Sequence, residues 1–143
     1  MVYNKALFAA GCFWGVEKKF SSIQGVMSTK VGYTGGTKEN PTYEEVCTDR
    51  TGHAEAVLID FDSNITSFDE LLIHFWTCHD PTTLNRQGLD IGSQYRSSIF
   101  FMNLEQERKS IESKEKILVE YNKPIVTEIV KAQKFYLAEE YHQ

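Results

Sequence analysis

The spacing of apolar residues changes abruptly near the start of the chain. Residues 6–10 form a continuous apolar run, which predicts a buried strand that ends at Gly11. After this glycine, apolar residues recur every three or four positions, and this spacing predicts a helix with one buried face: Phe13, Val16, Phe20 and Ile23. Gly25 is expected to close that helix, and residues 26–33 predict the next strand.

The rest of the chain predicts three more strands and two more helices. A capping box of Ser67 and Glu70 predicts a helix that runs to about Thr77. Asn103 is expected to cap a charged helix that runs to about Tyr121, with a narrow apolar stripe of Leu104, Ile111 and Leu118. The strands are expected at residues 54–61, 97–102 and 125–130.

The order of these elements favours one α+β domain. Strands interleaved with a few helices are typical of a layered α/β sandwich. A length of 143 residues suits one such unit, which we predict to span residues 1–143. Residues 78–96 show no periodic apolar pattern, and a loop of that length in a small domain is usually functional.

Composition excludes several classes of protein. With 15 Lys and Arg against 20 Asp and Glu, the net charge is −5, so no basic surface for nucleic acid is expected. The longest apolar stretch, residues 6–16, is far shorter than the ~20 residues of a membrane span. Three cysteines make an odd number for a disulfide framework, and no signal peptide precedes them. We therefore expect a cytoplasmic protein with reduced thiols.

The segment Gly-Cys-Phe-Trp-Gly at 11–15 places Cys12 between the first predicted strand and helix. Backbone N–H groups and the helix dipole at such a turn favour the thiolate. The two glycines of the segment would let a ligand approach the backbone closely. Cys12 is therefore either a nucleophile or a small packing residue of the core, which is the usual role of a single cysteine.

Phe13 and Trp14 follow this cysteine directly. Aromatic side chains usually anchor a core, but two consecutive helical residues cannot both face the same core. One of the two is therefore expected to form the wall of a small apolar pocket beside the sulfur.

Glu55 is the candidate acid. On an alternating strand Glu55 shares one face with His53, while Ala54 and Ala56 share the other. If the face of Glu55 is buried, loss of hydration raises the pKa of the carboxyl and keeps it ready to donate a proton. The alternative is a solvated strand edge, where the carboxyl would have no chemical role.

Two cysteines and two histidines raise the question of a metal site: Cys47, His53, Cys78 and His79. Their spacing matches no structural zinc pattern, so we predict no metal site. The long loop that follows His79 is instead dense in hydrogen-bonding groups, which include Asp90 and Tyr95.

Segments along nearly the whole chain resemble the peptide methionine sulfoxide reductases of the A type. Gly-Cys-Phe-Trp-Gly at 11–15 is similar to the family's active-site signature. The other matching segments, in order, are Gly32-Tyr33-Thr34-Gly35-Gly36, Thr51-Gly52-His53-Ala54-Glu55, His79-Asp80-Pro81, Asn85-Arg86-Gln87-Gly88, Gln94-Tyr95-Arg96-Ser97 and Tyr141-His142-Gln143. Each segment could match by chance, but together and in order they are highly specific.

The resemblance implies a fold and a reaction. The fold would be a two-layer α+β sandwich of ferredoxin-like type with a long active-site loop. The reaction would be reduction of the S epimer of methionine sulfoxide, free or in proteins, with electrons from thioredoxin or another thiol. No metal or organic cofactor is implied. Neither nucleic acid nor a membrane is an expected partner, and the protein is expected to be a monomer.

The resemblance also implies roles for single residues. Cys12 would attack the sulfoxide sulfur and become a sulfenic acid, while Glu55 would protonate the departing oxygen. Tyr43 and Tyr95 would hydrogen-bond that oxygen, with Asp90 supporting the polar side through water. The substrate-binding candidates are Phe13 and Trp14, which would hold the substrate's methyl group, together with Gly11 and His53.

Regeneration of the thiol is the step with most alternatives. Many members of the family carry resolving cysteines in a tail beyond the Tyr-His-Gln motif, whereas this sequence stops at Gln143. Cys47 or Cys78 could attack the sulfenic acid, but Cys47 is expected to be a packing residue and Cys78 to pack at a helix end. We expect a cycle with one cysteine, in which an external thiol reduces the sulfenic acid of Cys12.

Two other functions remain open from the sequence. Cys12 could serve a peroxidase or a hydrolase, with His53 or His79 as the base that such chemistry needs. Alternatively, the pocket could bind oxidised methionine without turnover.

Overall fold

The chain forms strands and helices in alternation. The computed structural model describes residues 3–142; Gln143 and the side chain of Tyr141, both from the last matching motif, lie outside the described residues. The strands are β1 Tyr3–Ala10, β2 Val26–Thr34, β3 Ala54–Asp62, β4 Arg86–Gln87, β5 Asp90–Ile91, β6 Ser97–Phe101, β7 Glu128–Lys131 and β8 Tyr136–Leu137. The helices are α1 Phe13–Ser21, α2 Tyr43–Cys47, α3 Phe68–Thr77 and α4 Leu104–Leu118, with 3-10 helices at Ser93–Tyr95 and Glu140–His142.

Six of the strands form one sheet in the order β7-β6-β1-β3-β2-β8. Neighbouring strands are antiparallel except β6 and β7, which are parallel. Because α1 joins β1 to β2 and α3 lies between β3 and β6, the four central strands have the β-α-β-β-α-β arrangement of ferredoxin-like folds. The predicted α+β sandwich is confirmed.

Both faces of the sheet are buried along residues 6–10 of β1 and 54–57 of β3. Phe8 on β1 packs under α1 and α3, with its ring centroid 5.5 Å from that of Phe20 and 5.0 Å from that of Phe75. On the other face, a smaller cluster packs against the chain near Phe135: Leu7, Ala9, Ala54, Ala56 and Phe100. A polar side chain at the start of β3 is therefore surrounded by protein whichever face it occupies.

Helix α4 packs through residues other than the predicted apolar stripe. The stripe is exposed, with Leu104 78% accessible, and the buried positions are Gln106 and Ser110. The side chain of Gln106 donates to the carbonyl of Lys5 (2.7 Å) and accepts from the N–H of Met102 (2.9 Å). Hydrogen bonds to strand ends thus orient this helix. In the described part of the chain, no helix is long and apolar enough to cross a membrane.

Three local predictions need correction. Residues 78–96 contain the hairpin of β4 and β5 and a 3-10 helix, so they are not a plain loop. The last predicted strand starts later, at Glu128, because the N–H of Val126 donates to the carbonyl of Pro81 (2.8 Å) instead of joining β6. Ser67 accepts from the N–H of Glu70 as expected, but the Glu70 carboxylate accepts from Thr66, so the capping box is one-sided.

Candidate active site

Cys12 lies at the turn between β1 and α1, where it is the N-cap residue of the helix. Gly11 before it has a φ of +102°, a conformation that L side chains rarely adopt. A Cβ atom on Gly11 would also lie 3.0 Å from the side chain of Gln87 on β4. This glycine is therefore needed to make the turn and to let the hairpin of β4 and β5 pack beside Cys12.

The pKa of the Cys12 thiol is raised above its ordinary value. Burial is the main cause, and the carboxylates of Glu55 and Asp90 raise the pKa further. The backbone N–H groups of Trp14 and Gly15 act in the opposite direction, as predicted for a helix N-terminus, but they are outweighed. The N–H groups favour the thiolate as expected, but burial and the nearby carboxylates together favour the neutral thiol.

Glu55 lies on β3 opposite Tyr33, and it is only 1% exposed. Its Oε1 accepts a hydrogen bond from the N–H of Phe13, the residue that follows Cys12, at 3.2 Å. Its Oε2 has no hydrogen-bond partner among residues 3–142. Burial raises the pKa of the carboxyl to about 7, even though the Phe13 N–H lowers it. The predicted direction of this shift is confirmed, and the solvated alternative is excluded.

Two tyrosines and Asp90 form the polar side of the site. Tyr43 is the first residue of α2, Tyr95 ends a 3-10 helix, and Asp90 begins β5. Burial raises the pKa of both phenols, and the Glu55 charge raises both further. The long loop and the α2 segment thus bring three predicted residues to Glu55.

The apolar side of the site consists of aromatic rings. Phe13 is buried, whereas Trp14 is 52% exposed, and their ring centroids are 6.1 Å apart. The ring of Tyr43 stacks on Phe13 at 6.4 Å. One of the two consecutive aromatic residues therefore anchors the core, and the other lines the surface beside the sulfur, as the helical geometry predicts.

His142 was missed as a site residue, although it belongs to a matching motif. Its buried ring lies 4.5 Å from that of Tyr43 and 5.3 Å from that of Trp14, and its carbonyl accepts from the Trp14 indole N–H at 3.0 Å. Helix α2 was also missed, although Thr42 and Glu45 form a reciprocal capping box that the sequence displays.

Both ring nitrogens of His53 form hydrogen bonds with backbone groups. Its Nδ1 accepts from the N–H of Gly36 (3.0 Å), so Nε2 carries the hydrogen and donates to the carbonyl of Lys38 (2.7 Å). The ring is 2% exposed and fastens the 36–38 segment to the start of β3. Of the predicted substrate-binding residues, His53 thus shapes the surroundings and offers no free nitrogen to a substrate.

The other two cysteines have different surroundings. Cys47 is exposed at the end of α2; burial of its thiol is the main cause that raises its pKa, the nearby Tyr43 lowers it, and the Glu55 charge raises it further. Cys78 donates to the carbonyl of Phe75 at 3.2 Å, and burial raises the pKa of its thiol to about 11. Cys47 therefore borders the site, whereas Cys78 packs at the end of α3.

His79 is also held by its neighbours. Its Nδ1 lies 2.8 Å from the carbonyl of Phe75, and its Nε2 lies 2.6 Å from the hydroxyl of Ser97. Burial lowers the pKa of this imidazole to about 4. Among residues 3–142, no three side chains of His, Cys, Asp or Glu are grouped so that they could hold a metal ion.

Solved structures share this fold. Mxr1 from Saccharomyces cerevisiae in its reduced form superposes with a TM-score of 0.94 at 34% identity, over 99% of this chain and 82% of that chain. Mxr1 in complex with Trx2 gives a TM-score of 0.73 at 24% identity, over 96% of this chain and 82% of that chain. The second likeness supports the fold alone.

Sequence comparisons identify the family. Residues 4–143 match the family model described as "Peptide methionine sulfoxide reductase". The peptide methionine sulfoxide reductase MsrA of Methanosarcina acetivorans is 56% identical over 142 residues, which are 98% of this chain and 76% of that protein. The aromatic rings, the half-buried thiol and the buried acid thus occur in a chain that belongs to the peptide methionine sulfoxide reductase family.

Proposed function

We propose that the protein reduces methionine-S-sulfoxide, free or in proteins, through a sulfenic acid on Cys12. One observation carries this proposal: the buried Glu55 carboxyl has a pKa of about 7 and accepts a hydrogen bond from the N–H of Phe13, the residue after Cys12. A sulfoxide oxygen leaves poorly unless it is protonated, so the reaction needs an acid beside the nucleophile. Glu55 supplies that acid at neutral pH.

The reaction balances with the groups present. The Cys12 thiolate attacks the sulfoxide sulfur while Glu55 gives its proton to the oxygen, and the oxygen then passes to the cysteine sulfur. The products are methionine, a Cys12 sulfenic acid and an ionised Glu55, so the sulfoxide is reduced by two electrons and Cys12 is oxidised by two. Tyr43 and Tyr95 donate hydrogen bonds to the oxygen as its negative charge develops.

The two sides of the site suit the two groups on the sulfoxide sulfur. The methyl group is apolar and fits against Phe13 and Trp14, whereas the oxygen needs the donors on the polar side. When the direction of attack by the Cys12 sulfur is fixed as well, a sulfur that carries four different groups, one of them a lone pair, can place its oxygen, its methyl and its side chain correctly in only one hand. This arrangement supports selection of a single epimer.

The thiolate forms when the Cys12 thiol passes its proton to the Glu55 carboxylate. Ionised Glu55 raises the pKa of Cys12, so protonation of Glu55 lowers that pKa again, and the N–H groups of Trp14 and Gly15 then stabilise the sulfur's charge. The reactive form carries one proton shared by the Cys12 and Glu55 pair.

This sharing predicts a bell-shaped pH dependence. With limiting substrate and excess enzyme, the rate constant of methionine release is expected to rise through about pH 7, where the pair loses its first proton. The rate is expected to fall again above the raised pKa of Cys12, where no proton is left for the oxygen. A rate that falls as pH rises through 7 would contradict a shared proton.

The hydrolase alternative receives little support from the histidines. Such chemistry needs an imidazole that accepts the proton of the thiol. Both ring nitrogens of His53 hold backbone groups, and burial lowers the pKa of His79 to about 4 while its nitrogens face Phe75 and Ser97. Neither ring is placed to activate Cys12.

A single-turnover assay with both sulfoxide epimers tests the proposed function. Pre-reduced protein is expected to release about one methionine per Cys12 from the S epimer and none from the R epimer. Equal release from both epimers would refute the stereochemical part. Binding without release would support the non-catalytic alternative, and hydrolysis of a thioester with no methionine release would support a hydrolase.

Regeneration is proposed to use one protein cysteine and an external thiol, thioredoxin or a small molecule. The sulfenic acid condenses with that thiol to give a mixed disulfide and water, and a second thiol restores Cys12. Cys78 donates a hydrogen bond to the carbonyl of Phe75, which favours a packing role, whereas Cys47 is exposed and does not pack as expected.

Intact-mass analysis after one turnover is expected to show one added oxygen on the protein. When a dimedone-type reagent is present, Cys12 is expected to carry the reagent in place of that oxygen. The expected product has two unmodified cysteines, because neither Cys47 nor Cys78 attacks Cys12. A quantitative Cys12–Cys47 or Cys12–Cys78 disulfide in the peptide map would overturn the one-cysteine cycle. The variants Cys47→Ser and Cys78→Ser are the matched controls, since each should leave the oxidised product unchanged.

We also propose that one copy of residues 1–143 is the catalytic unit and that it acts as a cytoplasmic monomer. One chain supplies the thiol, the acid and both tyrosines, so no second copy is needed to complete the site. Thiol chemistry also requires a reducing compartment. Sedimentation equilibrium tests the monomer directly.

A further inference from the structure

The last described segment of the chain is tied to both sides of the site. The N–H of Ala138 donates to the carbonyl of Val31 on β2 at 3.0 Å. The Glu139 carboxyl accepts from the hydroxyl of Tyr33 at 3.0 Å and, through its other oxygen, from the N–H of Tyr43 at 3.0 Å. One side chain therefore links the sheet to the start of α2.

The contact with Tyr43 fills a gap in the capping of α2. The first N–H groups of a helix have no partner within the helix. The reciprocal capping box satisfies the N–H groups of Thr42 and Glu45, which leaves those of Tyr43 and Glu44. Glu139 accepts from the N–H of Tyr43, so it fixes the backbone of the residue whose phenol enters the site.

Other contacts hold α2 through side chains. The helix is only five residues long, Val46 is its one buried side chain, and the ring of Tyr43 packs against those of Phe13 and His142. Among the backbone contacts, the one from Glu139 acts directly on Tyr43. The Tyr43 hydroxyl must nevertheless reach the oxygen held near Glu55 and Tyr95. A small shift at the first residue of this helix would carry the hydroxyl away from the oxygen.

We propose that Glu139 is a positioning residue for Tyr43: its carboxyl fixes the start of α2 and so holds the phenol hydroxyl on the sulfoxide oxygen. This inference rests on the proposed function, because it assigns Glu139 a part in the same step. Glu139 itself acts only through Tyr43 and does not touch the substrate.

The test compares Glu139→Gln in two backgrounds that differ in which phenol is present. In Tyr95→Phe, Tyr43 supplies the only phenol, and Glu139→Gln is expected to lower the single-turnover rate constant about tenfold at saturating substrate. In Tyr43→Phe there is no hydroxyl at this position to misplace, so the same change is expected to cost less than about twofold. Substrate KM is expected to change little in either background.

Two controls separate positioning from general damage. Glu140→Gln changes the neighbouring exposed carboxyl and is expected to leave the rate constant unchanged in both backgrounds. Alkylation of Cys12 by iodoacetamide at fixed pH uses no phenol, and its rate is expected to stay within about twofold. Equal losses of activity in both backgrounds, or no loss in Tyr95→Phe, would overturn the proposal.

A second variant covers the case in which Glu139→Gln folds poorly. Tyr33→Phe removes one hydrogen bond to the Glu139 carboxyl while the carboxyl stays in place. Tyr33→Phe is expected to lower the single-turnover rate constant in the Tyr95→Phe background, by less than Glu139→Gln does, and to have little effect in the Tyr43→Phe background. An equal loss of rate in both backgrounds would refute positioning. If the unmodified protein releases no methionine from either epimer, the proposed function itself fails, and this result differs from every outcome above.

Discussion

Cys12→Ser is expected to abolish methionine release from methionine-S-sulfoxide, with a loss of at least about 10⁴-fold in the single-turnover rate. A serine oxygen is a much weaker nucleophile near neutral pH, because its proton is held far more tightly than that of a thiol. It also cannot take up the sulfoxide oxygen as a stable sulfenic acid. Both halves of the proposed step are therefore lost together.

Chromatographic assay of methionine measures this loss, and Cys47→Ser and Cys78→Ser are the matched controls, each expected to retain the wild-type rate. Serine is close to cysteine in size, and Cys12 is only half-buried, so the melting temperature of Cys12→Ser should stay near that of the wild type. Methionine release by a folded Cys12→Ser protein would exclude Cys12 as the nucleophile.

Glu55→Gln has the second large expected effect, a loss of about 10²–10⁴-fold in the single-turnover rate. The amide still accepts from the Phe13 N–H, which preserves the geometry, but it has no acidic proton for the departing oxygen. The limb of the pH profile near 7 should vanish as well, because that limb reports Glu55. An unchanged rate would remove Glu55 from the mechanism.

The same substitution is expected to stabilise the folded protein above neutral pH. The folded carboxyl has a pKa of about 7 against an ordinary value of 4.5, so wild-type stability falls as pH rises between these values. Glutamine does not ionise and escapes this penalty, which predicts a gain of about 3 kcal/mol in the free energy of unfolding at pH 8 and none near pH 4. Urea unfolding at the two pH values measures the difference.

A gain in stability with a loss of activity would identify Glu55 as a residue kept for chemistry at the expense of the fold. The opposite result, a destabilised variant at pH 8, would mean that the buried carboxyl is ionised without cost and that its pKa is not raised.

Local patterns in the sequence were sufficient for much of the fold. The run at 6–10, the spacing from Phe13 to Phe20 and the alternation on β3 are properties of neighbouring residues, and each predicted element is present. The predicted apolar stripe on α4 is wrong because a hydrogen bond from Gln106 to Lys5, about a hundred residues away in the sequence, orients that helix.

Some features of the candidate active site also follow from short segments of the sequence, whereas others depend on contacts between distant segments. The turn at Gly11 and Cys12 and the capping of α2 are written into short segments, and family motifs point to the thiol and the acid. The grouping of Cys12, Glu55, Tyr43, Tyr95 and Asp90 depends on three long connections. Glu139 carries no local signal at all, since its partners lie on β2 and α2.

The sequence by itself determined the α+β architecture, the family and the identities of the nucleophile and acid candidates, because these depend on residue type and spacing. Only the tertiary structure decided the charge state of the site. Burial raises the pKa of Glu55 to about 7, and on Cys12 it outweighs the helix N-terminus, which favours the thiolate. Desolvation is set by every surrounding group at once, so no short segment of the chain encodes it.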